Sequence, residues 1–405
     1  MSLKSNRDIF NFLESIYQGH TVIESNIHPK DIIFDLLETP FCYLKLKNEE
    51  TSYLAIGIDQ PFKNHHHFSS DIDYVFGSLD FELDDKGFLF SPQVLIKFSK
   101  DNSAELLKSS IKLTELKKYI IGRQNYKRPV SKESKEEPNF SKWVKSVDDL
   151  KRKFDEDLFK VVLSRKKQFK LDTTCWKSAL NLLMIDPPPS TYEYILFNGD
   201  ELFYSISPET LYKKTKNKVT IDSIAGTTGR GKTELEDQDL FNKLIKNPKE
   251  IKEHKSVSDF IETIAAKLKL NIESRKGPLA LKLKHVQHIF TQYNFTSKHV
   301  LNDSLLIDTL HPTPAVGGNN KKISKELIQK FETNLRGFYA APSGFIDNKN
   351  GNSEFLVAIR SFLFKKDGTL DVFGGAGILI DSIPKKEWEE THNKMKNFLE
   401  KLNHE

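Results

Sequence analysis

The chain has 405 residues and a formal net charge of +5, small for its length, with lysines and acids interleaved in runs such as 132–137, so it reads as a solvated surface and not a nucleic-acid footprint. A chain this long buries a core without staples, and its two cysteines, Cys42 and Cys175, exclude a disulfide framework or a cysteine-rich zinc site and point to a reducing, cytoplasmic setting. Met1 to Tyr17 lacks the apolar core of a signal peptide, and no stretch nears the roughly 18 apolar residues of a membrane span.

In chain order, 42–47, 52–58 and 94–98 are short apolar or alternating runs separated by turn residues, which predicts a sheet-rich region over 1–122. Within it, His65-His66-His67 reads as a surface loop, because three consecutive residues converge poorly on one ion. Periodicity is lost over 123–141, where Pro129, Pro138 and a mixed-charge run predict a flexible connection to a catalytic region, 142–405. Trp143, Val147, Leu150, Phe154 and Leu158 then recur at helical spacing and run into Val161-Val162-Leu163, a buried strand, with Lys160 at the junction. Asn198-Gly199-Asp200 and Lys366-Asp367-Gly368 mark hairpins. Residues 234–247, 247–270 and 387–402 are helical in period, so mixed strands and helices predict an α+β architecture.

Several residues carry chemical potential, each with a plain alternative. Lys160 lies among Phe159 and Val161-Val162-Leu163; a desolvated ammonium gives up its proton and acts as a base, whereas a strand-edge lysine snorkels to water. Glu209, in Ser207-Pro208-Glu209 after a strand, is either a partly buried general acid or part of a helix cap. The glycines of 224–231 let backbone N–H groups approach an anion without the spacing of a nucleotide loop. Arg360 in an apolar strand needs either a protein acid or an anionic ligand. Glu250 and Glu253, and Glu387 and Glu390, are pairs three apart that share a helix face and either hold a divalent cation or face water. His285 and His288 fall in an alternating strand and read as structural or supporting residues, and Cys175 lacks a histidine partner at a recognisable spacing.

Taken in order, Lys160-Val161-Val162-Leu163-Ser164-Arg165, Ser207-Pro208-Glu209, Ile224-Ala225-Gly226-Thr227, the 249–254 and 310–315 segments, Arg336-Gly337-Phe338-Tyr339, 357–361, Gly375-Ala376-Gly377-Ile378 and 387–391 resemble the chorismate-utilising enzymes. The resemblance covers roughly 143–402 and implies a single large α+β domain with two antiparallel sheets packed between helical layers and the active site in a deep cleft. It further implies magnesium held by Glu253 and Glu390, with Glu250 and Glu387 on its water ligands. Chorismate would meet Gly226 and Thr227 at its ring carboxylate, and Arg360, Tyr339 and the backbone of Gly375, Ala376 and Gly377 at its enolpyruvyl carboxylate, with Lys394 near the metal.

Within the family, members that add water carry lysine where Lys160 stands, whereas anthranilate synthases typically carry glutamine; Ala225 stands where aminodeoxychorismate synthases have lysine, and Ala315 where salicylate synthases tend to have threonine. The resemblance is therefore best to the isochorismate synthases, which feed menaquinone or siderophore synthesis, with salicylate synthase and then anthranilate synthase component I as alternatives. Lys160 would activate the water attacking C2 and Glu209 would protonate the departing C4 hydroxyl. Asp222 stands where these synthases usually have glutamate, and no catalytic role is read for it. Expected partners are the small-molecule substrate alone, with no nucleic acid and no membrane, in a monomer or homodimer.

Overall fold

The computed structural model describes residues 6–19, 27–69, 71–99, 103–120, 126–282, 286–332 and 335–402, without the side chains of Asn6 and Lys249. His285 lies outside the described residues. The first strands are β1 Phe41–Lys45, β2 Ser52–Phe62, β3 Tyr74–Ser78, β4 Phe88–Phe98, β5 Ala104–Ser109, β6 Ser131–Glu137 and β7 Val161–Leu171. They are followed by β8 Tyr192–Phe197, β9 Glu201–Ser207, β10 Thr210–Thr215, β11 Lys218–Gly229, β12 Asn271–Lys282 and β13 Val286–Thr296. The last are β14 Pro342–Asp347, β15 Asn352–Val357, β16 Ser361–Lys365 and β17 Thr369–Ile378. The helices are α1 Asn6–Tyr17, α2 Pro29–Asp35, α3 Leu113–Leu116, α4 Phe140–Lys151, α5 Trp176–Leu183, α6 Glu234–Leu244, α7 Pro248–Lys267, α8 Asp303–Leu310, α9 Lys321–Phe331 and α10 Pro384–Leu402.

All pairings are antiparallel and join the strands into one sheet of 17. Its hydrogen-bonded order runs β12-β13-β11-β10-β15-β14-β3-β4-β2-β1-β8-β9-β16-β17-β7-β6, with β5 on the second half of β4. One continuous sheet thus replaces the two packed sheets expected. The reason is non-local: β1 bridges β2 to β8, and β3 bridges β4 to β14, so N-terminal strands are woven between C-terminal ones. Hairpin signals report only sequential neighbours and carry no information on these joins.

Of the flexible connection expected over 123–141, residues 123–125 lie outside the described residues and 131–137 are corrected to strand. Residues 131–137 form β6, which pairs along β7 with Glu137 opposite Lys166 and Glu136 opposite Lys167. Glu136 also pairs with Arg165. Alternating charge is what an edge strand carries when its cross-strand partners are charged, so the same residues that suggested a linker suit a sheet edge. Helix α4 ends at Lys151, short of Phe154 and Leu158; Asn139 caps its start through Oδ1 accepting from the Lys142 N–H at 3.0 Å, and Trp143, Val147 and Leu150 form its buried stripe.

Two long helices pack on β11 and β17. α7 buries Val257, Ile261, Ile264 and Ala265 and lies on β11; α10 buries Thr391, Met395, Phe398 and Leu399 and lies on β17. The approach of α10 is close enough that a Cβ on Gly374 would stand 2.6 Å from the Thr391 carbonyl oxygen, which requires glycine there. Trp143 of α4 donates from Nε1 to the Pro384 carbonyl at 3.0 Å, fixing the start of α10. No helix among the described residues is long and apolar enough to cross a membrane.

Candidate active site

Lys160 immediately precedes β7, and its backbone is gripped by Asn319: Oδ1 accepts from the N–H groups of Phe159 and Lys160, both at 2.9 Å, while the Asn319 N–H donates to the Lys160 carbonyl at 3.2 Å. The side chain is 1% exposed, which excludes snorkelling, and Nζ donates to Glu253 Oε1 at 2.6 Å. It passes over Gly377, where a Cβ would stand 2.9 Å from Lys160 Cε and 3.8 Å from Glu253 Oε1. Strand alternation turns Ala376 into the core, so Ala376 has only its backbone to offer.

Glu209 occupies the short turn between β9 and β10, not a helix cap. Ser207 Oγ accepts from the Glu209 N–H at 3.1 Å and donates to the Val357 carbonyl at 2.6 Å, which holds the turn on β15. Burial pushes the carboxyl up to about 7; a hydrogen bond from Thr313 Oγ1 at 3.3 Å and the charges of Lys160, Lys47 and Lys394 oppose that rise. A carboxyl so poised carries a proton near neutral pH and has a strong drive to give it up.

The four glutamates lie on the first two turns of α7 and α10. Glu250 Oε2 accepts from the Thr227 N–H at 2.9 Å, beside a bulge where Gly226 has φ +78°. The anion met by this glycine-containing backbone is therefore a side chain of the protein itself. Glu387 is buried and Oε1 accepts from Ser382 Oγ at 2.7 Å; Glu390 pairs with Lys394 at 2.7 Å, and Lys394 Nζ also donates to the Gly375 carbonyl at 2.8 Å. Both helices thus reach the 375–377 segment of β17, Glu253 of α7 near Gly377 and Lys394 of α10 at Gly375. Among the described residues, no three of these carboxylates bring oxygens within 4.8 Å of one another.

Arg360 is corrected from mid-strand to the break between β15 and β16, with φ +53°. No carboxylate among the described residues is within ion-pair distance of it, and burial holds the guanidinium below its usual range, with Tyr339 and Glu390 opposing. The protein acid left open as its partner is thus not found at ion-pair distance among the described residues, although the Glu390 charge acts on it. Tyr339 stacks on Phe373 at 5.1 Å and 13°, its hydroxyl 2.8 Å from where a Gly375 Cβ would stand; burial pushes that hydroxyl up to about 12. His288 Nδ1 lies 2.9 Å from Thr227 Oγ1, and burial, aided by the charges of Arg360 and Lys394, lowers its ring to about 4. Lys160 and Lys394 thus act electrostatically on Glu209, and Arg360 and Lys394 on the neutral His288 imidazole.

Sequence reasoning missed Lys47, Asn319, Thr313 and the position of His288 beside Thr227. Thr313 lay in a segment that carried the resemblance, but nothing in the pattern assigned it a partner. The reading of His65-His66-His67 as a surface loop is corrected: they form a 3₁₀ turn with His65 buried, and Asp308 of α8 meets His65 Nε2 at 2.8 Å and His66 Nε2 at 3.9 Å.

A family model described as chorismate binding enzyme matches residues 81–403. The isochorismate synthase MenF of Bacillus subtilis is 32% identical over 268 residues, 66% of this chain and 56% of that protein. Anthranilate synthase component 1 of Lactococcus lactis is 33% identical over 252 residues, 60% of this chain and 53% of that protein. The matched part thus spans about half the length of these relatives. Among solved structures, the menaquinone-specific isochorismate synthase MenF of Escherichia coli superposes with a TM-score of 0.83 at 19% identity, covering 98% of this chain and 100% of that one, a likeness of fold. DhbC of Bacillus anthracis gives 0.74 at 22%, covering 93% and 100%, again a likeness of fold. With four-fifths of its length under the family model, the chain belongs to the chorismate-binding enzymes.

Proposed function

We propose that the protein is an isochorismate synthase, converting chorismate to isochorismate by adding water at C2 and expelling the C4 hydroxyl. The observation that carries the reading is that two buried residues, Lys160 and Glu209, are close enough to interact electrostatically, with burial raising the Glu209 carboxyl to about 7. Lys160 first has to give up its own proton and let go of Glu253. As the free amine it then takes a proton from the attacking water, Glu209 gives one to the leaving hydroxyl, which departs as a second water, and the proton gained by Lys160 returns to Glu209 through solvent to close the cycle. The net change exchanges one allylic alcohol for another. Each transfer contributes about 10²–10⁴-fold.

The cationic groups Lys160, Arg360 and Lys394 suit a dianion. Arg360 offers a guanidinium without an acid partner among the described residues, and it interacts electrostatically with Tyr339, whose hydroxyl lies beside Gly375; together these would take the enolpyruvyl carboxylate. The resemblance would put Gly226 and Thr227 at the ring carboxylate, although the Thr227 N–H already donates to Glu250. Glu253 and Glu390, supported by Glu250 and Glu387, offer the oxygen ligands that a hard cation takes and would hold magnesium once their oxygens draw together, since among the described residues no three of them lie within 4.8 Å of one another here. Magnesium would supply charge neutralisation at the substrate carboxylate. In the present arrangement Lys160 holds Glu253 and Lys394 holds Glu390, so a cation competes with these ammonium groups for the same oxygens.

The 33% identity to an anthranilate synthase component supports a second reading, amination of chorismate. Lys160 weighs against it, since the resemblance places glutamine there in that group. The test is to incubate purified protein with chorismate and magnesium, with and without ammonium, and to resolve products by chromatography. Isochorismate is expected, lost in both Lys160→Ala and Glu209→Gln; anthranilate formed only with ammonium, or salicylate with pyruvate, overturns the assignment. The product would feed menaquinone or a catecholate siderophore in the cytoplasm.

A further inference from the structure

We propose that Lys47, from the N-terminal region, is a positioning residue for the general acid, clamping both chain neighbours of Glu209 and presenting a fixed positive charge to its carboxyl. The inference rests on the reading of Glu209 as the acid. Lys47 lies just beyond β1, and its Nζ has three acceptors for its three protons: the Pro208 carbonyl at 2.9 Å, Thr210 Oγ1 at 3.3 Å and Asp222 Oδ2 at 2.9 Å. Two of these acceptors flank Glu209 directly. The Lys47 and Asp222 side chains are 6% and 5% exposed. Asp222 is held in turn by Gln292 Nε2 at 3.1 Å, and Thr210 by the Tyr192 hydroxyl at 3.0 Å, so the clamp has a rigid base.

A purely stabilising contact at this depth does not require charge, because desolvating two ions costs as much as their attraction returns and apolar side chains of similar volume fill such a site as well. An ammonium adds what an apolar group cannot: a field at the acid and directional bonds that fix the turn carrying it. The groups facing Glu209 are Lys160 from the start of β7, Lys394 from α10, Thr313 from the loop after α8, Tyr339 and Lys47 itself; of the cations among them, Lys47 is the one bonded to the turn that carries Glu209. Asp222, to which the sequence assigned no role, becomes the counter-charge that keeps this ammonium buried. The N-terminal region is then a contributor to the site as well as a scaffold.

The test is the full-length double variant Lys47→Met/Asp222→Asn, which removes both charges together and leaves no lone buried ion. Titration of the Glu209 carboxyl is followed by difference infrared spectroscopy, its band assigned by loss in Glu209→Gln, alongside kcat and KM on chorismate. The titration midpoint is expected to move up, and kcat to fall between about tenfold and 10²-fold with KM within about threefold, the signature of a displaced acid. An unmoved midpoint in the folded variant overturns the proposal, whatever kcat does. If the double variant does not fold, Lys47→Gln/Asp222→Asn, whose amides retain hydrogen bonding, carries the same midpoint test. A wild-type protein that makes no isochorismate refutes the functional reading, while the midpoint still decides the role of Lys47.

Discussion

Replacing Gly377 with alanine puts one methyl group into the space that Lys160 uses. The new Cβ would stand 2.9 Å from Lys160 Cε and 3.6 Å from Nζ. Carbon atoms in contact settle at about 3.5–4.0 Å, so Cε must retreat by about 0.6–1.1 Å, carrying the amine away from Glu253. A displacement of that size at a reacting group costs up to about 10²-fold in rate. Stability is expected to change little, within about 1 kcal/mol. The clash falls on the far end of a flexible side chain, the backbone at 377 is not in the left-handed region, and alanine reduces the freedom of the unfolded chain. The assay pairs steady-state kinetics on chorismate with a denaturant melt. Wild-type kcat in Gly377→Ala refutes the placement of Lys160 at the reacting centre, and a large loss of stability refutes the claim that only the amine moves.

Glu209 links catalysis to pH in a definite sense. Its carboxyl stands at 4.5 when unperturbed and about 7 in the fold, so the native state binds the proton more tightly. This group's contribution to stability therefore falls as pH rises from about 4.5 to about 7 and then levels off, by up to about 3 kcal/mol. Glu209→Gln removes the titration and is expected to gain stability relative to wild type between pH about 5 and about 8; an equal gap at both pH values contradicts it. In the wild-type enzyme kcat is expected to decline as pH rises above about 7, because the acid has lost its proton. Glu253→Gln should raise the magnesium concentration needed for half-maximal activity, and an unchanged magnesium titration argues against the cation site.

Where function depends on local pattern, the sequence was informative. Helices α6, α7 and α10 follow their apolar period and put both Glu-x-x-Glu pairs on first and second turns, and the turn residues at 198–200 and 366–368 mark the β8–β9 and β16–β17 hairpins. Pro208 and Glu209 sit in a turn just after Ser207 ends β9, close to what was read, because proline favours that geometry whatever packs around it. What was illegible is non-local or depends on backbone angles. Lys47 meets Pro208 and Asp222 across 161 and 175 residues, and no period connects them. Arg360 adopts φ +53° in a run of residues that otherwise reads as strand, an arrangement set by the packing of β15 and β16 against different partners. β6 looked like a linker because an edge strand and a solvated linker share a charged composition.

The central claim is that the hydroxyl at C2 of the product comes from a solvent water activated at Lys160. Running the reaction in oxygen-18 water and analysing isochorismate by mass spectrometry tests it most directly. The account predicts one heavy oxygen in the product, located at C2; isochorismate that retains only the oxygen atoms of the starting chorismate contradicts it.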